Sequence, residues 1–133
     1  MPKGPATDAD MRSTLFDYPW NEVGKERRGP IPGIKEQLLA ADSETGAYTR
    51  IVRFEPGFKF DRALCHEFWE ELYILDGHMM DYGTNRLYTK GAYALRPAGV
   101  PHGPFGTDLG CIILETTWFD KNWHEQKIRG EKG

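Results

Sequence analysis

Positive charge is in short supply in this chain. Its 17 lysines and arginines are outnumbered by 20 aspartates and glutamates, for a formal charge of -3 and a pI near 5.8. Nucleic acids and anionic membranes both select clustered Lys and Arg, so neither is expected as a partner. The one basic cluster, Lys25 to Arg28, is interrupted by Glu26 and reads as a solvated loop. Cysteine is scarce as well. Cys65 and Cys111 do not make a disulfide framework, and reduced thiols in a cytoplasmic setting are expected. Long apolar runs are missing: none approaches the ~20 residues of a bilayer span. The first ten residues, MPKGPATDAD, lack the apolar centre of a secretory signal. Helical periodicity is almost absent too, which leaves strands to build the core.

What is present is a chain of 133 residues, enough for one domain that buries about two-thirds of its unfolded surface. Residues 1–30, rich in Pro, Gly and charge, read as an irregular arm, with Phe16, Tyr18 and Trp20 available for packing. Residues 31–120 read as a single barrel of short strands. IKEQLLA and AYTRIVRF form a hairpin about Ser43–Gly46, and FKFDRALCH is a third strand. EELYILDG ends at the hairpin signal Asp76-Gly77. HMMDY, RLYTK, AYALRP and CIILETTWF follow, separated by turns at Gly83-Thr84-Asn85, Gly91 and Pro97-Ala98-Gly99. Residues 121–133 are a polar tail; a short helix capped by Asp120 is expected there. Many short strands with regular turn signals predict an all-β sandwich or barrel.

Two stretches carry the chemistry. Pro56 to Gly77 holds His66 and, four residues on, Glu70; Gly91 to Gly103 holds His102. If the two segments lie side by side, two imidazoles and a carboxylate converge, a donor set suited to non-haem iron or catalytic zinc. Strand alternation puts Phe58, Phe60, Arg62, Leu64 and His66 on one face and Cys65 on the other. A one-residue shift would expose Arg62 and present Cys65 instead, so Cys65 is the alternative ligand. Glu70 and Glu71 cannot both face inward. Arg53, Arg62, Tyr73, Tyr93, Arg96 and Phe105 are pocket candidates. Arg62, Tyr73 and Tyr93 are the candidates for a catalytic role, Arg62 because its fork would suit a substrate carboxylate or enolate. His78 and His124 read as surface residues.

Gly57, His66, Glu70 and Gly77, followed by Gly91, Pro97, Gly99 and His102, resemble the two sequence motifs of the cupin superfamily, over residues 34 to 119. The resemblance implies a double-stranded β-helix, the cupin or jelly-roll barrel, with a divalent metal held by His66, Glu70 and His102. Fe(II) is favoured; Zn, Mn and Ni fit the same ligands. The superfamily usually has His-x-His before the glutamate, and here Leu64 stands at the first of those positions. The usual closing asparagine of the second motif is likewise replaced by Gly106. Small cupin dioxygenases imply an oxygenase acting on a small carbonyl-containing or aromatic substrate that chelates the metal. Other members imply non-oxidative lyase, isomerase or hydrolase chemistry. The barrel also resembles the cupin half of zinc-binding anti-sigma factors, which implies a regulatory module, although residues 1–30 are not expected to form their helical partner-binding domain. A homodimer is expected from the aromatic arm and an otherwise unpaired barrel edge.

Overall fold

The computed structural model describes residues 3–6, 19–24 and 31–120. The expected tail helix, Phe16, Tyr18, His124 and the cluster Lys25 to Arg28 lie outside the described residues. Nine strands run in chain order: β1 (Gly4–Pro5), β2 (Asn21–Glu22), β3 (Ile34–Ala41), β4 (Tyr48–Phe54), β5 (Trp69–Asp81), β6 (Arg86–Thr89), β7 (Tyr93–Arg96), β8 (Phe105–Gly106) and β9 (Cys111–Trp118). All neighbours pair antiparallel, in the order β1-β3-β4-β9-β5-β6, with β2 on β3 and with β7 and β8 on β5. The described residues contain no helix, and none long and apolar enough to cross a membrane. The all-β expectation therefore holds.

The β3–β4 hairpin forms where the sequence places it. Asp42 Oδ1 accepts the Glu44 and Thr45 main-chain N–H groups at 2.9 and 3.4 Å, and Gly46 takes a φ of 83°. The expectation at Asp76-Gly77 is corrected. The chain does not reverse there, because β5 continues to Asp81. Gly77 has a φ of 78°, and the register against β9 slips between Ile74 and Asp76. The Asp-Gly pair supplies the left-handed residue of a bulge, not of a hairpin. A Cβ at Gly77 would lie 2.1 Å from the Gly110 carbonyl oxygen, so only glycine fits. Past this bend β5 leaves β9 after Gly77↔Cys111 and pairs with β6 from His78↔Thr89. The reversal comes at Tyr82–Asn85, where Asp81 Oδ1 accepts from the Gly83 and Thr84 N–H groups.

The third expected strand is corrected too. Residues 58–66 make only two isolated bridges, Lys59↔Gly106 and Leu64↔His102. Asp61 and Arg62 lie between them, with side chains 92% and 81% exposed. Two adjacent charges keep this bend in water and interrupt the alternation assumed across it.

Inside the sheet, the register fixes which side chains meet. Arg50 faces Glu115, Val52 faces Ile113 and Phe54 faces Cys111 across β4 and β9. The apolar core is Ile34, Val52, Phe54, Ile74, Met79, Cys111 and Ile113, with Phe58, Phe60 and Phe105 packed against it. Full burial of each large apolar side chain contributes about 1.5–3 kcal/mol.

Candidate metal centre

A cavity of about 270 Å³ opens inside the barrel. One end is walled by the apolar core, and the other carries His66, Glu70, His102, Arg50, Glu115 and Arg96. The two histidines are brought together by main-chain bonds outside the regular strands. Leu64 N–H donates to the His102 carbonyl at 2.7 Å, and His102 N–H donates back to Leu64 at 2.9 Å. Gly99 N–H donates to the His66 carbonyl at 2.8 Å. The imidazole centroids end up 4.8 Å apart.

Each imidazole is also aimed. Nδ1 of His66 lies 2.9 Å from the Phe68 carbonyl oxygen, and the ring stacks on Phe68 at 4.1 Å. A carbonyl only accepts, so Nδ1 carries the proton and Nε2 keeps its lone pair. That Nε2 is buried, has no hydrogen-bond partner, and lies 3.9 Å from Glu70 Oε2. His102 repeats the pattern, with Nδ1 at 3.3 Å from the Val100 carbonyl. The candidate ligand atoms of His66, Glu70 and His102 all lie within 4.8 Å of one another. An orphaned buried lone pair beside a carboxylate and a second imidazole fits a divalent cation, which would complete all three.

Electrostatics agree with that use. Burial, reinforced by the Glu115 charge, pushes the Glu70 carboxyl up to about 8, with Arg50 and Arg96 pulling the other way. Burial lowers the His102 pKa, which keeps its ring neutral and able to ligate near pH 7. Deeper in the wall, Arg50 bridges two carboxylates, Glu36 Oε2 at 2.7 Å and Glu115 Oε2 at 2.8 Å. Its guanidinium sits 4.7 Å from the Tyr48 ring centroid. Burial raises the Tyr48 pKa. Sequence reasoning missed Arg50 and Glu115. Both sit at alternating positions in apolar strands, but only the Arg50↔Glu115 register identifies them as an inward pair.

The other candidates divide cleanly. Glu70 is buried, whereas Glu71 faces outward and accepts the Tyr93 hydroxyl at 2.5 Å. Cys65 is exposed. Arg62 is corrected: its guanidinium lies in solvent beside Asp61 and not in the cavity. Tyr73 and Tyr93 meet on the outer face as tilted rings with centroids 5.0 Å apart, 48% and 45% exposed, and their β5–β7 register puts them opposite in sense to Glu70 and Arg96. Tyr93 reaches the cavity wall, but its hydroxyl is engaged outside. Arg53 pairs with Glu55 and lies over Trp20, while Arg96 and Phe105 do line the cavity. His78 is an outer residue that accepts the Asp108 N–H.

The family model described as the ChrR Cupin-like domain matches residues 9–119. A search of curated proteins finds no match. Among solved structures, an RmlC-like cupin from Shewanella frigidimarina is similar at 18% identity and TM-score 0.64, over 91% of this chain and 96% of that one. An acetylacetone dioxygenase from Acinetobacter johnsonii is similar at 22% identity and TM-score 0.56, over 86% and 85%. The anti-sigma ChrR of Rhodobacter sphaeroides, solved in complex with SigE, is similar at 21% identity and TM-score 0.58, over 79% of this chain and 51% of that one. These likenesses describe a shared jelly-roll barrel. The chain belongs to the ChrR cupin-like family.

Proposed function

We propose that this cupin domain is a divalent-metal enzyme, with His66, Glu70 and His102 as ligands, acting on a small carbonyl compound able to chelate the ion. The reading is carried by the buried Nε2 of His66, which has no protein partner and faces Glu70 and His102. When bound there, the ion would supply Lewis-acid polarisation of a carbonyl oxygen and, as Fe(II), a position for O2. The chain's residues do the rest. The Phe68 and Val100 carbonyls hold the two imidazoles in the ligating tautomer. Glu70 gives up a proton to become a ligand. Phe60, Phe68 and Leu72 wall the cavity with apolar surface that keeps water from the bound substrate. Leu64 contributes no donor, which leaves more of the ion's coordination sphere for substrate. We place the domain in the cytoplasm, where both thiols stay reduced, and propose a homodimer, since β6 ends the sheet with an open edge among the described residues.

A second reading, a non-catalytic metal- or ligand-binding regulatory module, draws on the likeness to the anti-sigma ChrR. One experiment separates the two. The protein is purified without oxygen, its metal content is measured, and O2 uptake is followed with β-diketones and hydroxyaryl ketones. Iron with substrate-dependent O2 consumption is expected. Zinc, manganese or nickel with turnover that needs no O2 moves the assignment to a lyase, isomerase or hydrolase. Bound metal without turnover leaves the regulatory module. Light scattering that returns the monomer mass at micromolar concentration rejects the dimer.

A further inference from the structure

The cavity holds two guanidinium groups, and they differ in what they have left to give. Arg50 is engaged by two carboxylates, Glu36 and Glu115, at hydrogen-bond distance. Arg96 is not. Its Nε is buried without a partner, and its nearest carboxylate, Asp81 Oδ2, lies 4.0 Å from Nη2, beyond a hydrogen bond. Asp81 is turned to its own loop, where Oδ1 accepts the Gly83 and Thr84 N–H groups. It orients Arg96 without satisfying it. The Phe105 ring holds the guanidinium from one face, 5.1 Å from centroid to Cζ. Register places Arg96 directly across from Glu70, beside the candidate ligands.

A guanidinium with free donors in a mostly apolar cavity recognises one chemical class best. A planar carboxylate accepts two parallel N–H bonds from its fork, while a neutral carbonyl accepts one and leaves the charge uncompensated. We propose that Arg96 is the specificity residue for an anionic substrate: a small oxygen chelator bearing a carboxylate, which docks on Arg96 while its carbonyl oxygens face His66, Glu70 and His102. The docking of the carboxylate stands on Arg96 alone; the orientation of the carbonyls rests on the metal reading above.

The test uses acetopyruvate and its methyl ester, two diketones that differ by one negative charge. Binding is measured by titration calorimetry on zinc-loaded and metal-stripped protein, after metal content has been determined. The acid is expected to bind at least about tenfold tighter than the ester to the wild type, as a charge-assisted pair contributes. Arg96→Gln, compared after zinc loading to the same metal content and in the metal-stripped form, is expected to abolish that preference, and Arg96→Lys to restore part of it. Metal uptake with equal affinity for acid and ester overturns the inference while sparing the metal reading. An Arg96-dependent acid preference in protein that takes up no metal does the reverse. Should both variants fold poorly, the wild-type comparison of acid and ester still decides.

Discussion

The two ends of the barrel interior are built from the same three strands and could hardly differ more. On β4 the inward row runs Tyr48, Arg50, then Val52 and Phe54; on β9 it runs Thr117, Glu115, then Ile113 and Cys111; on β5, Glu70 gives way to Ile74. The change from charged to apolar falls at one level on β4 and β9, with no break in their ladder, and one pair earlier on β5, where Leu72 faces Glu115. The apolar end is ordinary core, stabilised by area removed from water. At the charged end the Arg50 charge is offset by its pairing with Glu36 and Glu115. The costly half of the interior is the half that can bind something.

Removing Arg50 is the severest way to break this arrangement. Arg50→Ala strands Glu115 in the wall, and unfolding in urea is expected to show a loss of about 3–5 kcal/mol, largely recovered by Arg50→Met with Glu115→Leu. A loss below about 1 kcal/mol would mean that water reaches the charged end, and the contrast would collapse. Next come the ligands. His66→Ala and His102→Ala are each expected to weaken metal binding at least about 100-fold, more than loss of an outer partner costs, with little change in the metal-free melting temperature. Full retention in His66→Ala would remove it from the site.

The pH response is smaller and signed. Burial pushes the Glu70 carboxyl from its ordinary 4.5 up to about 8 in the folded protein. Between those values the metal-free folded state holds a proton that the unfolded state has released. The contribution of Glu70 to stability is therefore highest below about 4.5 and falls as pH rises toward about 8. Metal affinity should run the other way, gaining about tenfold per pH unit below 8 and levelling above, with about one proton released at pH 7. Calorimetry in buffers of different ionisation enthalpy reads that proton, and Glu70→Gln should erase the slope. Least of all, Ile113→Val at the apolar end should cost only about 0.5–1.5 kcal/mol and leave metal binding untouched.

Much of this was legible beforehand, for identifiable reasons. His102 follows Gly91, Pro97 and Gly99, residues whose backbone demands betray a tight turn. His66 and Glu70 share a face because four residues separate them across a bend into β5. Arg62 was misjudged because alternation was carried across a charged bend that is not a strand. Asp76-Gly77 was misjudged because a bulge and a hairpin ask the same local favour of glycine. Arg50 and Glu115 were invisible because a polar residue in an apolar strand normally points to water. Their partnership exists only once β4 lies against β9.

The bridge between Leu64 and His102 has one more implication. The segments bearing the two imidazoles sit 36 positions apart in the chain and are tied there by the Leu64–His102 pair of main-chain bonds and the Gly99–His66 bond. An ion shared by those rings would rivet them in the folded state, which it stabilises by mass action because the unfolded chain does not hold it. Loading the site should then slow protease cutting at the exposed Asp61–Ala63 bend, a readout of occupancy that needs no substrate at all.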